Sequence, residues 1–134
     1  MNFAANYENL LTQKPSPLPE GADFMVGTVT VPPGDPGAAP HRHSGPVFGY
    51  VIEGEILFEL EGEAPRPIRA GEAFWEPGGD VVHYQAANLR RDIASRFVVT
   101  MVCAPGVEML TFLGEQELRQ RDHLRHPSAR QYAH

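Results

Sequence analysis

The sequence predicts an all-β fold, a sandwich or barrel of about eight short strands with at most one helix. Three observations carry that prediction. Thirteen glycines and thirteen prolines divide the 134 residues into short pieces, a punctuation that suits strands joined by tight turns. The segment EILFELE (55–61) alternates, with Ile56, Phe58 and Leu60 on one face and Glu55, Glu59 and Glu61 largely opposite. That is the period of a half-buried strand. The segment RFVVTMVCA (96–104) is nearly all apolar, as expected of a strand buried on both faces.

Taken in order, residues 1–23 contain KPSPLPEG, which prolines hold extended. This arm is expected to wrap the domain edge or pair with a partner chain. FMVGTVTV (24–31) is rich in β-branched residues and ends at the turn cluster PPGDPG. AAPHRH (38–43) and PVFGYVI (46–52) follow as strands, then the alternating 55–61. APRPIRAGE supplies a hairpin and a turn. AFWEPGGD is a short strand stopped by Pro-Gly-Gly, and VVHYQAA (81–87) comes next. Only GEQELRQRDHL (114–124) looks helical, and the polar tail RHPSARQYAH is expected to fray. No repeat and no second domain interrupts residues 1–134.

Composition narrows the function. With 42% apolar and 21% charged residues the chain is globular rather than disordered. A net charge of -6 without a basic block gives no electrostatic reason to bind nucleic acid. The single cysteine, Cys103, excludes an intrachain disulfide and reads as a buried core thiol. The start, MNFAANYENLLTQK, lacks the features of a signal peptide. No run approaches the roughly 20 apolar residues of a membrane span. A soluble, cytoplasmic protein that meets no membrane is the expectation.

The chemistry centres on APHRHSGPVFGYVIEGEI (39–56). His41 and His43, two apart on a strand, project from the same face with Cα atoms roughly 7 Å apart. Metal–imidazole bonds are roughly 2.0–2.1 Å long, so both rings can converge on one ion, and a third ligand must come from another strand. His83, which follows a Pro-Gly-Gly-Asp turn and heads its own strand, is the candidate. The residues alone leave the alternative open: a solvated His-Arg-His corner and an ordinary half-buried His83. His123, His126 and His134 lie in the polar C-terminal region and receive no role.

At this point the sequence resembles a cupin. HRHSGPVFGYVIEG presents His41, His43 and Gly54 of that family's first motif. GEAFWEPGGDVVHYQAAN presents Gly71, Pro77, Gly79, His83 and Asn88 of its second. The resemblance spans about residues 24–105, flanked by the arm 1–23 and a C-terminal helix and tail at 110–134. It implies a double-stranded β-helix, a jelly-roll barrel with a short C-terminal helix, holding a divalent metal between the motifs. It also implies a homodimer, since the arm and open sheet edges need cover.

Three departures matter. Asp35 stands where the leading glycine belongs, and one extra residue precedes each of His83 and Asn88. The glutamate ligand of the first motif is missing: counting back from Gly54 reaches Val47, with Phe48 next. The site is therefore expected to hold three histidines and no carboxylate, which leaves a divalent ion at its full charge and a stronger Lewis acid. Cupins with three-histidine iron sites are similar in this respect and cleave diketones or oxidise thiols with dioxygen. The resemblance thus implies a dioxygenase acting on a small, anionic or enolic, partly apolar molecule. The alternatives are a metal-dependent isomerase or cyclase and a non-catalytic small-molecule sensor. Imidazole ligands suit several metals; Fe2+ fits an oxygenase, Zn2+ or Ni2+ the others.

The remaining pocket is read by period. Gln85, two after His83, is expected on the same face. Val47 is placed as an apolar wall, and Phe58, Trp75 and Met101 as further lining, against the plainer reading of core packing. Glu76 is an acid or base if it faces inward and a rim residue otherwise; Tyr84 falls opposite His83. No catalytic residue is assigned.

Overall fold

A computed structural model describes residues 1–132; His134 lies outside the described residues. A one-turn helix α1 (Phe3–Asn6) precedes nine strands: β1 (Asp23–Val31), β2 (His41–His43), β3 (Val47–Glu53), β4 (Glu55–Leu60), β5 (Arg66–Arg69), β6 (Ala73–Glu76), β7 (His83–Asn88), β8 (Ser95–Cys103) and β9 (Leu110–Phe112). Helix α2 (Glu115–Arg121) follows, then 3-10 turns at Asp122–Leu124 and Pro127–Tyr132. No helix among the described residues is long and apolar enough to cross a membrane.

The strands form two antiparallel sheets, one ordered β1-β8-β3-β6 and the other β5-β4-β7-β2-β9. The expected jelly-roll barrel is not formed: neither sheet closes, and β1, β6, β5 and β9 are free edges. The reason lies in the corners. Except between β7 and β8, the chain crosses between sheets at turns that hold glycine or proline, where the ladder of backbone bonds stops. At Gly54, between β3 and β4, φ is +84° and an added Cβ would stand 2.2 Å from Ser95 Oγ, so only glycine makes this corner. The sheets therefore pack face to face. Val51, Ile56, Phe58, Ile68, Phe74 and Phe97 fill the space between them.

Two expectations about burial change places. The nearly all-apolar β8 alternates, with Phe97 and Val99 inward and Arg96 and Val98 on the outer face. The alternating β4 is buried on both faces from Ile56 to Leu60. Glu59, and Glu61 just beyond the strand, are covered by the C-terminal segment, which is ordered as far as it is described, to Tyr132. Arg125 donates to both oxygens of the fully buried Glu59 at 2.9 and 2.8 Å, and Arg121 donates to Glu61 at 2.9 Å. Arg42 pairs with Glu117 on α2, and Ala129 is buried. The arm runs past the outer face of the four-stranded sheet, where Tyr7 to Leu11 share a groove with Phe48, Tyr50 and Val98.

Asn88 ties the framework together. Its Nδ2 donates to the carbonyls of Val31, Pro32 and Ile93 at 3.1, 3.0 and 2.9 Å. Its Oδ1 accepts from the Arg90 amide at 2.8 Å and Ser95 Oγ at 2.6 Å. Cys103, expected in the core, is only half-buried, and its Sγ lies 3.6 Å from Ser44 Oγ.

Candidate metal centre

Four side chains converge between the sheets. His41 and His43 come from one face of β2, His83 from the start of β7 and Glu76 from the end of β6. One ligating atom of each lies within 4.8 Å of the others, and all four residues are buried. His41 and His83 are cross-strand partners. The β6–β7 turn is held against β2 by Gly79 N–H donating to the His43 carbonyl at 2.8 Å. At Gly78 the approach is closer still, for a Cβ there would stand 2.2 Å from the Gly45 oxygen.

The outer ring nitrogens each have a partner, and this assigns the tautomers. His41 Nδ1–H donates to the Ala39 carbonyl at 2.7 Å and His83 Nε2–H to the Gln85 carbonyl at 2.9 Å. His43 Nδ1 faces Met109 Sδ at 3.2 Å, a weak acceptor for its proton. With those protons outward, three bare nitrogens face inward: Nε2 of His41, Nε2 of His43 and Nδ1 of His83. The two Nε2 atoms lie 3.1 Å apart. Glu76 Oε1 lies 3.0 Å from His83 Nδ1 and 3.2 Å from His43 Nε2. Glu76 Oε1 and His83 Nδ1 are buried atoms without a hydrogen-bond partner. Lone pairs facing lone pairs at this distance fit a shared cation, and the donor set of imidazoles plus a carboxylate suits a divalent transition metal.

Electrostatics keep Glu76 in its anionic form. Burial pushes the Glu76 carboxyl up, but the charges of protonated His83 and His43 and the bonds these rings would donate outweigh it and hold it at about 2. His41 is lowered, chiefly by burial and further by its histidine neighbours, while the Ala39 carbonyl opposes the shift. A depressed imidazole stays in the neutral, ligating form.

The expectation that no carboxylate joins the histidines is overturned. Val47 in β3 is the cross-strand partner of Glu76 in β6, so the carboxylate arrives at the same level from the neighbouring strand. A usable signal was present: Phe74 is an inward core residue, and two residues later the side chain returns to that face. With Glu76 anionic, a divalent ion held here would keep a single net positive charge rather than its full one.

A cavity of 230 Å³ adjoins the four residues. Val47 and Met101 line it as the period suggests, with Val31, Ala86, Phe97 and Val99. Three other expected lining residues do not. Phe58 packs behind the site, its ring 4.8 Å from that of His83. Trp75 lies on the outer face against Phe48, at 6.0 Å between rings. Gln85 points away and donates to Glu59 at 2.9 Å. Its displacement has a definite cause: Glu59 pairs with Gln85 but Leu60 with His83, so a β-bulge at Tyr84 breaks the alternation. Tyr84 also faces out, with Arg125 over its ring at 4.2 Å.

Residues 27–100 match the family model described as the cupin domain. No curated protein matches the chain. Among solved structures it is similar to a conserved protein with a double-stranded β-helix domain from Klebsiella pneumoniae, at 24% identity over 69% of this chain and 76% of that one, with a TM-score of 0.55. A cupin-like protein from Thermotoga maritima is 23% identical over 73% and 72%, with a TM-score of 0.56. An oxalate oxidase in complex with glycolate is 23% identical over 80% of this chain, with a TM-score of 0.54. This chain spans 63% of the oxalate oxidase's length. At such identities the likeness concerns the fold.

Proposed function

The chain belongs to the cupin domain family, and from that premise we propose that it is a metal-dependent enzyme of the dioxygenase type. Its ligands are His41, His43, His83 and Glu76, its metal is iron(II), and its substrate is a small, partly apolar anion. The observation that carries the reading is the pair of buried, unpartnered acceptors, Glu76 Oε1 and His83 Nδ1, only 3.0 Å apart. Burying polar atoms without partners costs roughly 1–3 kcal/mol each, a cost that a shared cation removes.

The ion, when bound, supplies a Lewis-acidic centre with room for exogenous ligands. The protein's own residues fix the chemistry around it. Ala39, Met109 and the Gln85 carbonyl orient the three rings through their outer nitrogens. Glu76 lowers the net charge, and the apolar wall of Val31, Val47, Phe97 and Val99 excludes water. The same wall favours oxidative chemistry over a Lewis-acid isomerase or cyclase. Proton shuttling between carbon atoms needs a positioned acid or base, and among the described residues no titratable side chain lines the cavity beyond the four ligands.

Metal analysis of the purified protein, followed by oxygen uptake with iron(II) and a panel of small enolisable acids, tests the proposal. Stoichiometric metal in the wild type and its loss in His83→Ala are expected, with uptake only in the former. Wild-type protein that retains no divalent metal at equimolar supply would refute it.

A further inference from the structure

We infer that the substrate has one anionic, ligating head on an otherwise hydrocarbon body, and that the walls reject a second charge. This rests on the metal-enzyme reading and narrows its substrate class. Among the described residues, apart from the four clustered ones, the side chains lining the cavity are Val, Ala, Phe, Met and Leu. No lysine, arginine, hydroxyl or amide side chain is among them. The nearby guanidinium groups are committed elsewhere: Arg42 to Glu117 and Arg125 to Glu59, both beyond the cavity lining. A single net positive charge is satisfied by a single anionic head. A second carboxylate or a hydroxyl deeper in the substrate meets only hydrocarbon, and an unpaired buried polar group costs roughly tenfold to a hundredfold in affinity. The 230 Å³ volume is below the roughly 300–1,000 Å³ of pockets that hold drug-sized ligands.

The test compares two acids of equal length and similar shape, 5-methylhexanoate and glutarate, which differ by an isopropyl end against a carboxylate end. Each is titrated calorimetrically into zinc-loaded protein, so that binding is read without turnover, after the zinc content has been measured. The monoacid is expected to bind at least roughly 30-fold tighter, although simple attraction to the metal favours the dianion. Val29 lines the cavity and is 39% exposed on edge strand β1, so Val29→Lys places a cation at the mouth without disturbing the core. It should shrink the preference at least roughly tenfold by recovering glutarate. Zinc bound with glutarate equal or preferred, zinc bound with neither acid binding, or a ratio unmoved by a folded Val29→Lys would each overturn this inference alone. Failure to hold zinc would overturn the metal-enzyme reading and this one with it.

Discussion

Replacing Glu76 with glutamine sets the stability of the metal-free protein against its function. The hydrogen bonds made by the outer nitrogens of the three rings place their protons there and leave the inner nitrogens bare. Glu76 Oε1 then faces bare nitrogens of His83 and His43 at 3.0 and 3.2 Å. Glutamine has the same shape, but its amide donates, so at least one of the two orphaned acceptors is satisfied. That recovers about 1–3 kcal/mol, and for a chain of 134 residues roughly 3–4 °C in Tm accompanies each kcal/mol. Glu76→Gln should therefore melt roughly 3–12 °C above the wild type in EDTA. Metal reverses the order. A ligand at a hundred times its Kd stabilises the native state by about 2.7 kcal/mol, and most of that stabilisation should be missing from the variant, whose anionic ligand is gone. Calorimetric scans of both proteins at pH 8, with EDTA and with excess zinc(II), read both effects. A variant no more stable than wild type in EDTA, or an equal response to zinc in the two proteins, would refute the reasoning.

Three further outcomes follow from the framework. Arg125→Ala strands the fully buried Glu59 carboxylate, and urea unfolding should report a loss of about 3–5 kcal/mol; replacing both by leucine should cost less than Arg125→Ala alone. Asn88→Leu abandons three carbonyls and the partners of Oδ1, for a loss of about 2–4 kcal/mol in the same assay. Burial, with the charge of Glu61, raises Tyr84 from 10.0 to about 12. Its folded pKa exceeds its unfolded one, so the neutral phenol favours the folded state below pH 10, and ionisation of the unfolded chain favours unfolding between pH 10 and 12. Tyr84→Phe carries no such proton, and its urea midpoint should fall less steeply over that window; equal slopes would contradict the assignment.

What the sequence disclosed was local, and what it hid was tertiary. Strands β1, β3, β4 and β7 announce themselves by composition or period within a few residues. The meeting of His41 and His43 is legible for the same reason, since two-residue spacing on a strand sets a common face. Strand β9 has only three residues, Leu110–Phe112, too few to display a period. The bulge at Tyr84 carries no glycine, so nothing in VVHYQAA warns that Gln85 will turn away from His83. The tail reads as solvated because Arg121 and Arg125 find their partners, Glu61 and Glu59, 60 and 66 residues earlier. Barrel closure was expected from likeness alone, and the corner at Gly54 shows why two open sheets satisfy the same pattern.

The carboxylate illustrates the difference most sharply. Counting along the chain finds valine at the position where a ligand is sought, but a sheet is two-dimensional. Val47 has Met101 on one side and Glu76 on the other, and a side chain moved one strand over at the same level reaches nearly the same point. Position 47 is thereby freed to be hydrocarbon, while the charge is retained at the other edge of the site. Polarity is concentrated at one pole of the cavity, with β1, β3 and β8 supplying an apolar wall opposite the histidines. Relocating the acid from β3 to β6 would thus still reduce a bound ion's charge by one unit, and it removes the polar group that a ligand at position 47 would have placed beside Val99 and Met101. The specificity argued above for a single-headed substrate is a consequence of that relocation.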